Sequence, residues 1–319
     1  MNDFLLPQGK AAALLPGVSF SIPGLFRFSD LIFSCLEQVE DKFSYHIPVR
    51  FLYGSPLVRW NCGRLLFVPH HETLEEMEAE LDNAVRHGVT PLLTFSSPIL
   101  TQEDLADPVC NGLLQILDRL HGGAILASPL LKAYIQKHYP NVSLHSSIIL
   151  TTFAQERSPA YYQSLSQEYD YYVIHSDDKF DLPLLRQLPK ENAEIILNER
   201  CNFQCPQRRE HYLSIAQDQS TLLDGSCELS NFLARCPFIP EHKQIQTQRR
   251  NIALTTREAA ELAGLGFDLF KLQGRLDSPY VFFFDFLHYA LEPELAFPTM
   301  YPIFSYTIQQ YLKNKRHKS

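Results

Sequence analysis

The chain has 319 residues, of which 45% are hydrophobic and 20% are charged, so it can bury one large core or two smaller ones. Its formal net charge of −8 opposes non-specific attraction to phosphate backbones, and nucleic acid is therefore not a favoured partner. No apolar run approaches the roughly 20 residues of a membrane span, and the first residues lack the pattern of a secretory signal. These features predict a cytoplasmic protein with no membrane span.

Short apolar runs alternate with stretches of helical periodicity, the pattern of βα units that build a parallel sheet. The runs predict eight strands, at residues 18–24, 47–54, 91–97, 123–129, 143–150, 171–177, 193–199 and 268–275. Before the last of them, Thr255 and Glu258 have the spacing of a helix capping box. Eight repeats of this size predict an α/β fold, a (β/α)8 TIM-barrel-like domain that spans residues 1–319.

Two connections are much longer than the few residues usual in βα units. One follows the second strand, and the other runs from about 200 to 254 between strands seven and eight. Active sites in such barrels form from the loops at the carboxyl ends of the strands, so both connections are candidates for function. A connection of the second length without a sheet or a long helix needs a local source of order, which a bound metal would provide.

Four of the seven cysteines lie in that second connection and together span 36 residues: Cys201, Cys205, Cys227 and Cys236. In a reducing compartment, clustered cysteines bind metal more often than they form disulfides. The spacing is C-x3-C, then 21 residues, then C-x8-C, whereas structural zinc sites usually have two tight pairs. Iron-sulfur clusters accept looser spacing, because each thiolate binds a different iron. The spacing therefore favours a 4Fe-4S cluster, with zinc as the alternative.

The segment N-E-x-C-x3-C-P-x-R-x2-H-Y reads here as Asn198, Glu199, Cys201, Cys205, Pro206, Arg208, His211 and Tyr212. Together with FSIPGLF at 20–26 and FDLFKLQGR at 267–275, it resembles the iron-sulfur branch of the collagenase-like peptidase family over nearly the whole chain. The resemblance implies a TIM barrel with a four-cysteine 4Fe-4S cluster. It also implies oxygen-independent hydroxylation, which several family members perform on RNA bases or ubiquinone precursors. The cysteine spacings differ from the family's best-known members, whose E-x-F-x2-G-S/A-x-C signature is absent here, so the chain is a divergent relative.

The last predicted strand carries three long polar residues on one face, since Lys271, Gln273 and Arg275 alternate along it. Such residues in a barrel strand need partners or water. We expect Lys271 and Arg275 either to bind an anionic group at the barrel mouth or to form a salt bridge with a strand-end carboxylate such as Glu199 or Asp177.

Other candidate catalytic residues lie near the first cysteine pair and in the first long connection. Arg208 and His211 are three residues apart and share a helix face, where His211 could relay protons or donate to a cluster sulfide. Asn198 ends strand seven. Arg64 could bind a carboxylate bidentately, although the turn that it shares with Trp60 is equally suited to packing as a plug over the barrel mouth.

Together these features predict a redox enzyme that modifies a small-molecule or peptide substrate, with an electron donor or partner subunit. Peptidase activity is not expected, because the chain has neither a G-x-S-x-G elbow nor an H-E-x-x-H zinc motif. One alternative is a non-catalytic accessory barrel with a structural zinc or no metal. Another is a metal-independent lyase or hydrolase that uses Lys271.

Overall fold

A computed structural model describes residues 12–62, 73–199, 201–226, 252–274, 279–296, 298–301, 305 and 309. Within these residues, eight parallel strands form one sheet in the order β5-β4-β3-β2-β1-β8-β7-β6. They are β1 Ser19–Pro23, β2 Val49–Gly54, β3 Thr90–Phe95, β4 Gly123–Leu126, β5 Ser143–Ser146, β6 Tyr172–Val173, β7 Ala193–Ile196 and β8 Leu269–Lys271. The strand alternation and the (β/α)8 TIM-barrel-like fold predicted from the sequence are confirmed.

The sheet curves until its two outer strands, β5 and β6, almost meet. Tyr171, just before β6, pairs in parallel with His145 of β5 through an isolated bridge. The Ser146 amide donates to the Tyr171 carbonyl at 2.9 Å, and the Tyr171 amide donates to the Leu144 carbonyl at 3.2 Å. These bonds leave a nearly closed barrel, whose weakest seam lies beside the two-residue strand β6.

Residues 293–296 and 298–301 are helical, and ten further α-helices cover the outside of the sheet or its carboxyl end. They are α1 Ser29–Phe43, α2 Leu74–Arg86, α3 Pro108–Leu120, α4 Pro129–His138, α5 Ile148–Phe153, α6 Pro159–Glu168, α7 Leu182–Leu185, α8 Arg208–Leu223, α9 Thr256–Gly264 and α10 Pro279–Ala290. The Thr255–Glu258 capping box forms as predicted at the start of α9. None of these helices combines the length and the apolar character that a membrane crossing requires.

Two predicted strands, 143–150 and 171–177, end earlier than predicted. The apolar run 143–150 is a strand only to Ser146, because the Ser147 side chain accepts a hydrogen bond from the Ile149 amide and starts α5. A short run of apolar residues does not distinguish a strand from a buried helix. The helix expected to carry Arg208 and His211 is present as the 16-residue α8, so a bound metal is not the only source of order in the connection from about 200 to 254.

Alternate residues of each strand face two different environments. Phe20 and Ile22 of β1, like Ala193 and Ile195 of β7, belong to the large core between the sheet and the helices. The residues between them therefore point into the barrel. A small apolar cluster lies there, formed by Phe51, Tyr53, Leu92, Ile125 and Leu269 with Tyr171 packed against it.

Four polar residues share the barrel interior with that apolar cluster: Ser21, His145, Glu194 and Lys271. All four are at most 7% exposed. The Lys271 Nζ donates to Glu194 Oε2 at 2.6 Å and lies 4.7 Å from the centre of the Tyr53 ring. Glu194 Oε1, His145 Nδ1 and Ser21 Oγ have no hydrogen-bond partner among the described residues. A buried ion pair thus lies among the polar residues of the interior.

Candidate functional site

The first cysteine pair lies at the carboxyl end of the barrel, where β7 runs into α8. Cys201 and Cys205 are both partly buried, and their thiols are close enough to hydrogen-bond. The Cys205 thiol and burial raise the pKa of Cys201, whereas the neighbouring Arg208 guanidinium acts in the opposite direction. Residues 201–205 form the turn that carries both thiols, here called the thiol turn. It includes Gln204, whose φ of +52° lies in the left-handed region that non-glycine residues seldom adopt.

Arg208, the first residue of α8, is buried beside this turn. Its Nη1 and Nη2 donate to the two carboxylate oxygens of Asp177 at 3.0 and 3.1 Å. Nη2 also donates to the Asn202 carbonyl at 2.8 Å. Burial by itself would lower the pKa of Arg208, but Glu199, Cys201 and Asp177 raise it above its ordinary value. A permanent positive charge therefore sits against the thiol pair.

His175 and Asp177 follow β6 and supply the opposite side of this contact. The Nε2 of His175 accepts a hydrogen bond from Arg208 Nη1 at 3.1 Å. Burial, together with the positive charges of Arg157 and Arg208, lowers the pKa of His175 to about 3. The imidazole is consequently neutral at ordinary pH, and it serves as an acceptor for the guanidinium rather than as a second cation.

Two further ionisable groups, Glu199 and Lys179, are buried near the ends of β6 and β7. Burial raises the pKa of Glu199 to about 7, and its Oε2 accepts a hydrogen bond from the Ser176 hydroxyl. Burial also lowers the pKa of Lys179 to about 8, and its Nζ donates to the Ile196 carbonyl at 2.7 Å. Each charge opposes the shift of the other, so the two groups are held as a mutually dependent pair.

Asn198 joins the end of β7 to two other elements. Its amide nitrogen donates to the Gln273 carbonyl at 2.9 Å and to Asp285 Oδ2 of α10 at 2.7 Å. Its side-chain oxygen accepts from the Gln273 amide at 2.6 Å. Asn198 thus continues the β7–β8 pairing with its side chain where the regular strand bonds end.

The remaining candidate residues are dispersed. Lys271 pairs with Glu194 inside the barrel, so its salt bridge is made with neither Glu199 nor Asp177. His211, on α8, is partly buried, and burial lowers its pKa. Four predicted site residues lie outside the described residues: Arg64, Cys227, Cys236 and Arg275.

No group of three or more His, Cys, Asp and Glu side chains in the described part of the chain is arranged to hold a metal ion. Two of the four predicted thiolate ligands are not among those residues. The four-cysteine centre therefore stays a prediction, and the structure describes one half of its proposed ligand set.

Helix α8 crosses the carboxyl end of the barrel. Its residue Ala216 packs with Cys62, Ala127 and Ile149, which follow β2, β4 and β5. Beyond that contact, Gln219 Nε2 donates to the Val58 carbonyl at 3.1 Å. The helix is about 24 Å long at 1.5 Å per residue, so it spans the barrel mouth from the thiol turn to the loop after β2.

The far end of α8 is fixed by Arg59. Its Nη1 donates to Ser220 Oγ at 2.9 Å, and its Nη2 donates to Asp224 Oδ1. Trp60, in the same loop, is fully buried and donates its Nε1 to the Asp104 carbonyl at 2.6 Å. The described part of this loop therefore packs against the barrel end.

A cavity of about 580 Å³ opens between this end of α8 and the loop after β3. Its wall is mostly polar and carries one cation and several carboxylates, namely Arg59, Glu103, Asp104, Asp107 and Asp224. The cavity adjoins the C-terminal half of α8, whereas the thiol turn adjoins the first residue of that helix.

Sequence reasoning missed the residues after β6 that surround Arg208: His175, Ser176 and Lys179. Their signal was the polar run HSDDK at residues 175–179, which directly follows a predicted strand. Polar residues at the carboxyl end of a barrel strand are typical of functional sites. Residues 175–177 of this run were assigned to the predicted strand 171–177, and Asp177 was considered only as a strand-end partner for Lys271 or Arg275.

No family model and no curated protein matches the chain. Among solved structures, it is similar to a U32 (collagenase-like) peptidase, with 14% identity, a TM-score of 0.49, and coverage of 84% of this chain and 97% of that one. It is also similar to a phospho-2-dehydro-3-deoxyheptonate aldolase from Thermotoga maritima, with 12% identity, a TM-score of 0.28, and coverage of 66% and 70%. Scores this low assign neither a family nor an activity to the chain.

Proposed function

We propose that the chain is a barrel protein that binds a 4Fe-4S cluster through Cys201, Cys205, Cys227 and Cys236 and acts as a redox enzyme, by hydroxylation without oxygen or a related reaction. The single observation that carries the proposal is the meeting of the Cys201 and Cys205 thiols at the carboxyl end of the barrel strands. That end is where (β/α)8 barrels place their active sites.

The charges around the pair act in opposite directions. The Cys205 thiol and burial raise the pKa of Cys201, whereas the buried Arg208 guanidinium beside it favours the thiolate, the form that binds iron. Two partly buried thiols are half of a four-thiolate set. When bound, the cluster would supply one-electron transfer. The residues of the chain would exclude water and hold the substrate beside it.

His211 and Asn198 have different roles in this proposal. His211 shares the α8 face of Arg208, and we assign it to relaying protons or donating to a cluster sulfide, although burial lowers its pKa and makes it a weaker base than a free imidazole. The Asn198 side chain forms two hydrogen bonds with Gln273 and one with Asp285. We therefore assign Asn198 to holding β7 and β8 together at the barrel mouth.

The test is to make and purify the protein without air and to quantify iron and acid-labile sulfide. We expect about four of each per chain, with the broad visible absorbance of sulfide-to-iron charge transfer. The Cys205→Ser variant should lose most of the iron and the colour. The matched control is Cys35→Ala, which removes a buried thiol of α1 far from the turn and should keep both. Iron-free, colourless wild-type protein would refute the proposal.

The second candidate is an accessory barrel with a structural zinc. The C-x3-C pair fits one half of such a site, since zinc ligands are often two to four residues apart. Colourless protein with one zinc per chain, released by Cys205→Ser, would favour this function. The same metal analysis therefore separates the two candidates.

A further inference from the structure

One carboxylate supports the thiol turn at two points, directly at Gln204 and through Arg208 at Asn202. Asp177 Oδ1 accepts a hydrogen bond from the Gln204 amide at 2.9 Å, in the middle of the turn. The same carboxylate receives both terminal nitrogens of Arg208, at 3.0 and 3.1 Å. Arg208 in turn donates to the Asn202 carbonyl at 2.8 Å. Asp177 and Arg208 thus fix the backbone at the second and fourth residues of the five-residue turn.

The turn needs such support because of its backbone conformation. Gln204 has a φ of +52°, and a non-glycine residue in this region is strained unless its surroundings hold it there. Asp177 reaches its amide from the loop after β6, which is separate in sequence from the turn. The support is therefore tertiary, and its loss should let Cys201 and Cys205 move apart.

We propose that Asp177 and Arg208 are positioning residues that keep the Cys201 and Cys205 thiols at the separation that metal ligation requires. This inference rests on the proposed function, in which the pair binds a metal centre. Residues that hold metal ligands in place raise the affinity for the metal, because ligands that are not held must be ordered when the metal binds. His175 completes the arrangement, because it accepts from the same Arg208 nitrogen that bonds Asp177.

The chain offers a matched control one residue away. Asp178 forms a comparable two-bond contact with Arg157, at 2.8 and 3.3 Å, and its side chain is 14% exposed, as is that of Asp177. Its third partner is the Tyr162 hydroxyl at 2.6 Å. None of these bonds reaches the thiol turn, so Asp178→Asn weakens a similar ion pair without releasing the thiols.

The experiment compares Asp177→Asn, Arg208→Lys and Asp178→Asn with two readouts. The first is the rate at which reconstituted protein loses iron to a chelator. The second is the rate of capture by phenylarsine oxide, which bonds two neighbouring thiols and releases water, in a Cys227→Ser/Cys236→Ser background. The second readout reports the Cys201–Cys205 separation without any metal. Circular dichroism and thermal unfolding accompany both.

We expect Asp177→Asn to raise the iron-loss rate and to lower the arsenical capture rate, each by about 10–100-fold, with Asp178→Asn close to wild type. Arg208→Lys keeps the charge but cannot bond Asp177 and Asn202 in the same fork, so it should show the same changes to a smaller degree. Equal capture rates in Asp177→Asn and Asp178→Asn would overturn the proposal. If wild-type protein binds no iron and Asp177→Asn still slows capture, the positioning role stands and the proposed function fails.

Discussion

Lys271 and Glu194 form a buried ion pair in the barrel interior, and each charge there depends on the other for compensation. Replacing Lys271 by Met should therefore strongly lower the free energy of unfolding. The Lys271 and Glu194 side chains are 9% and 2% exposed, with 2.6 Å between Nζ and Oε2. Met fills nearly the same space as the lysine stem, so the change removes the charge and leaves the packing almost intact.

The structure sets the size of the expected loss. Glu194 Oε1 has no partner within the described residues, so Lys271 is the one group bonded to this carboxylate there. Removing one member of a buried pair typically costs about 3–5 kcal/mol, because the other charge is left uncompensated. The substitution also removes the contact between the Lys271 ammonium and the Tyr53 ring, which adds about 1 kcal/mol to the loss of stability. Relative to a total stability of about 5–15 kcal/mol, this is a large fraction.

The assay is urea unfolding followed by circular dichroism on four proteins: wild type, Lys271→Met, Glu194→Leu and the double variant. We expect each single variant to lose about 3–5 kcal/mol and the double variant to recover most of that loss, since two apolar residues leave no buried charge. Single variants within about 0.5 kcal/mol of wild type, a change usual for surface positions, would show that the pair is hydrated and that the reasoning is wrong.

Two further predictions concern pH and the end of the sheet. Burial lowers the pKa of His145 well below 6.5, so the unfolded chain binds more protons below that pH and the free energy of unfolding falls as the pH drops. His175 adds to the same trend, and His145→Gln should make the slope below pH 6.5 shallower by up to about 1.4 kcal/mol per pH unit; an unchanged slope in urea titrations would contradict this. Asn198→Leu leaves the Gln273 amide and carbonyl without their partner and should lower stability by about 2–4 kcal/mol in the same assay. A loss below about 0.5 kcal/mol, as at an exposed site, would show that water replaces the amide.

The barrel could be predicted from the sequence because its signals are local. Each strand is an apolar run bounded by turn or capping residues, and Thr255 with Glu258 marks a helix start by spacing alone. The short helix α5 could not be separated from β5 in this way, because Ile148, Ile149 and Leu150 are apolar without a period. A hydrogen bond from one amide to Ser147 decides between the two conformations there.

The candidate site was only partly predictable, because its contacts join residues that are far apart in the chain. Cys201, Cys205 and Arg208 were identified from a local motif, and they do lie together. Asp177 reaches Arg208 across 31 positions, and Glu194 reaches Lys271 across 77. The second contact depends on the register of β7 and β8, which pairs Ile196 with Lys271, and hydrophobic patterns do not specify that register to the residue.

Because α8 lies across the barrel mouth, it acts as a partition on the carboxyl face. It separates the thiol turn, beside the ends of β6 and β7, from the cavity next to Arg59 and Asp104. Arg208 anchors the first residue of the helix and Arg59 its last turn, so a displacement of α8 would change the surroundings of both places together.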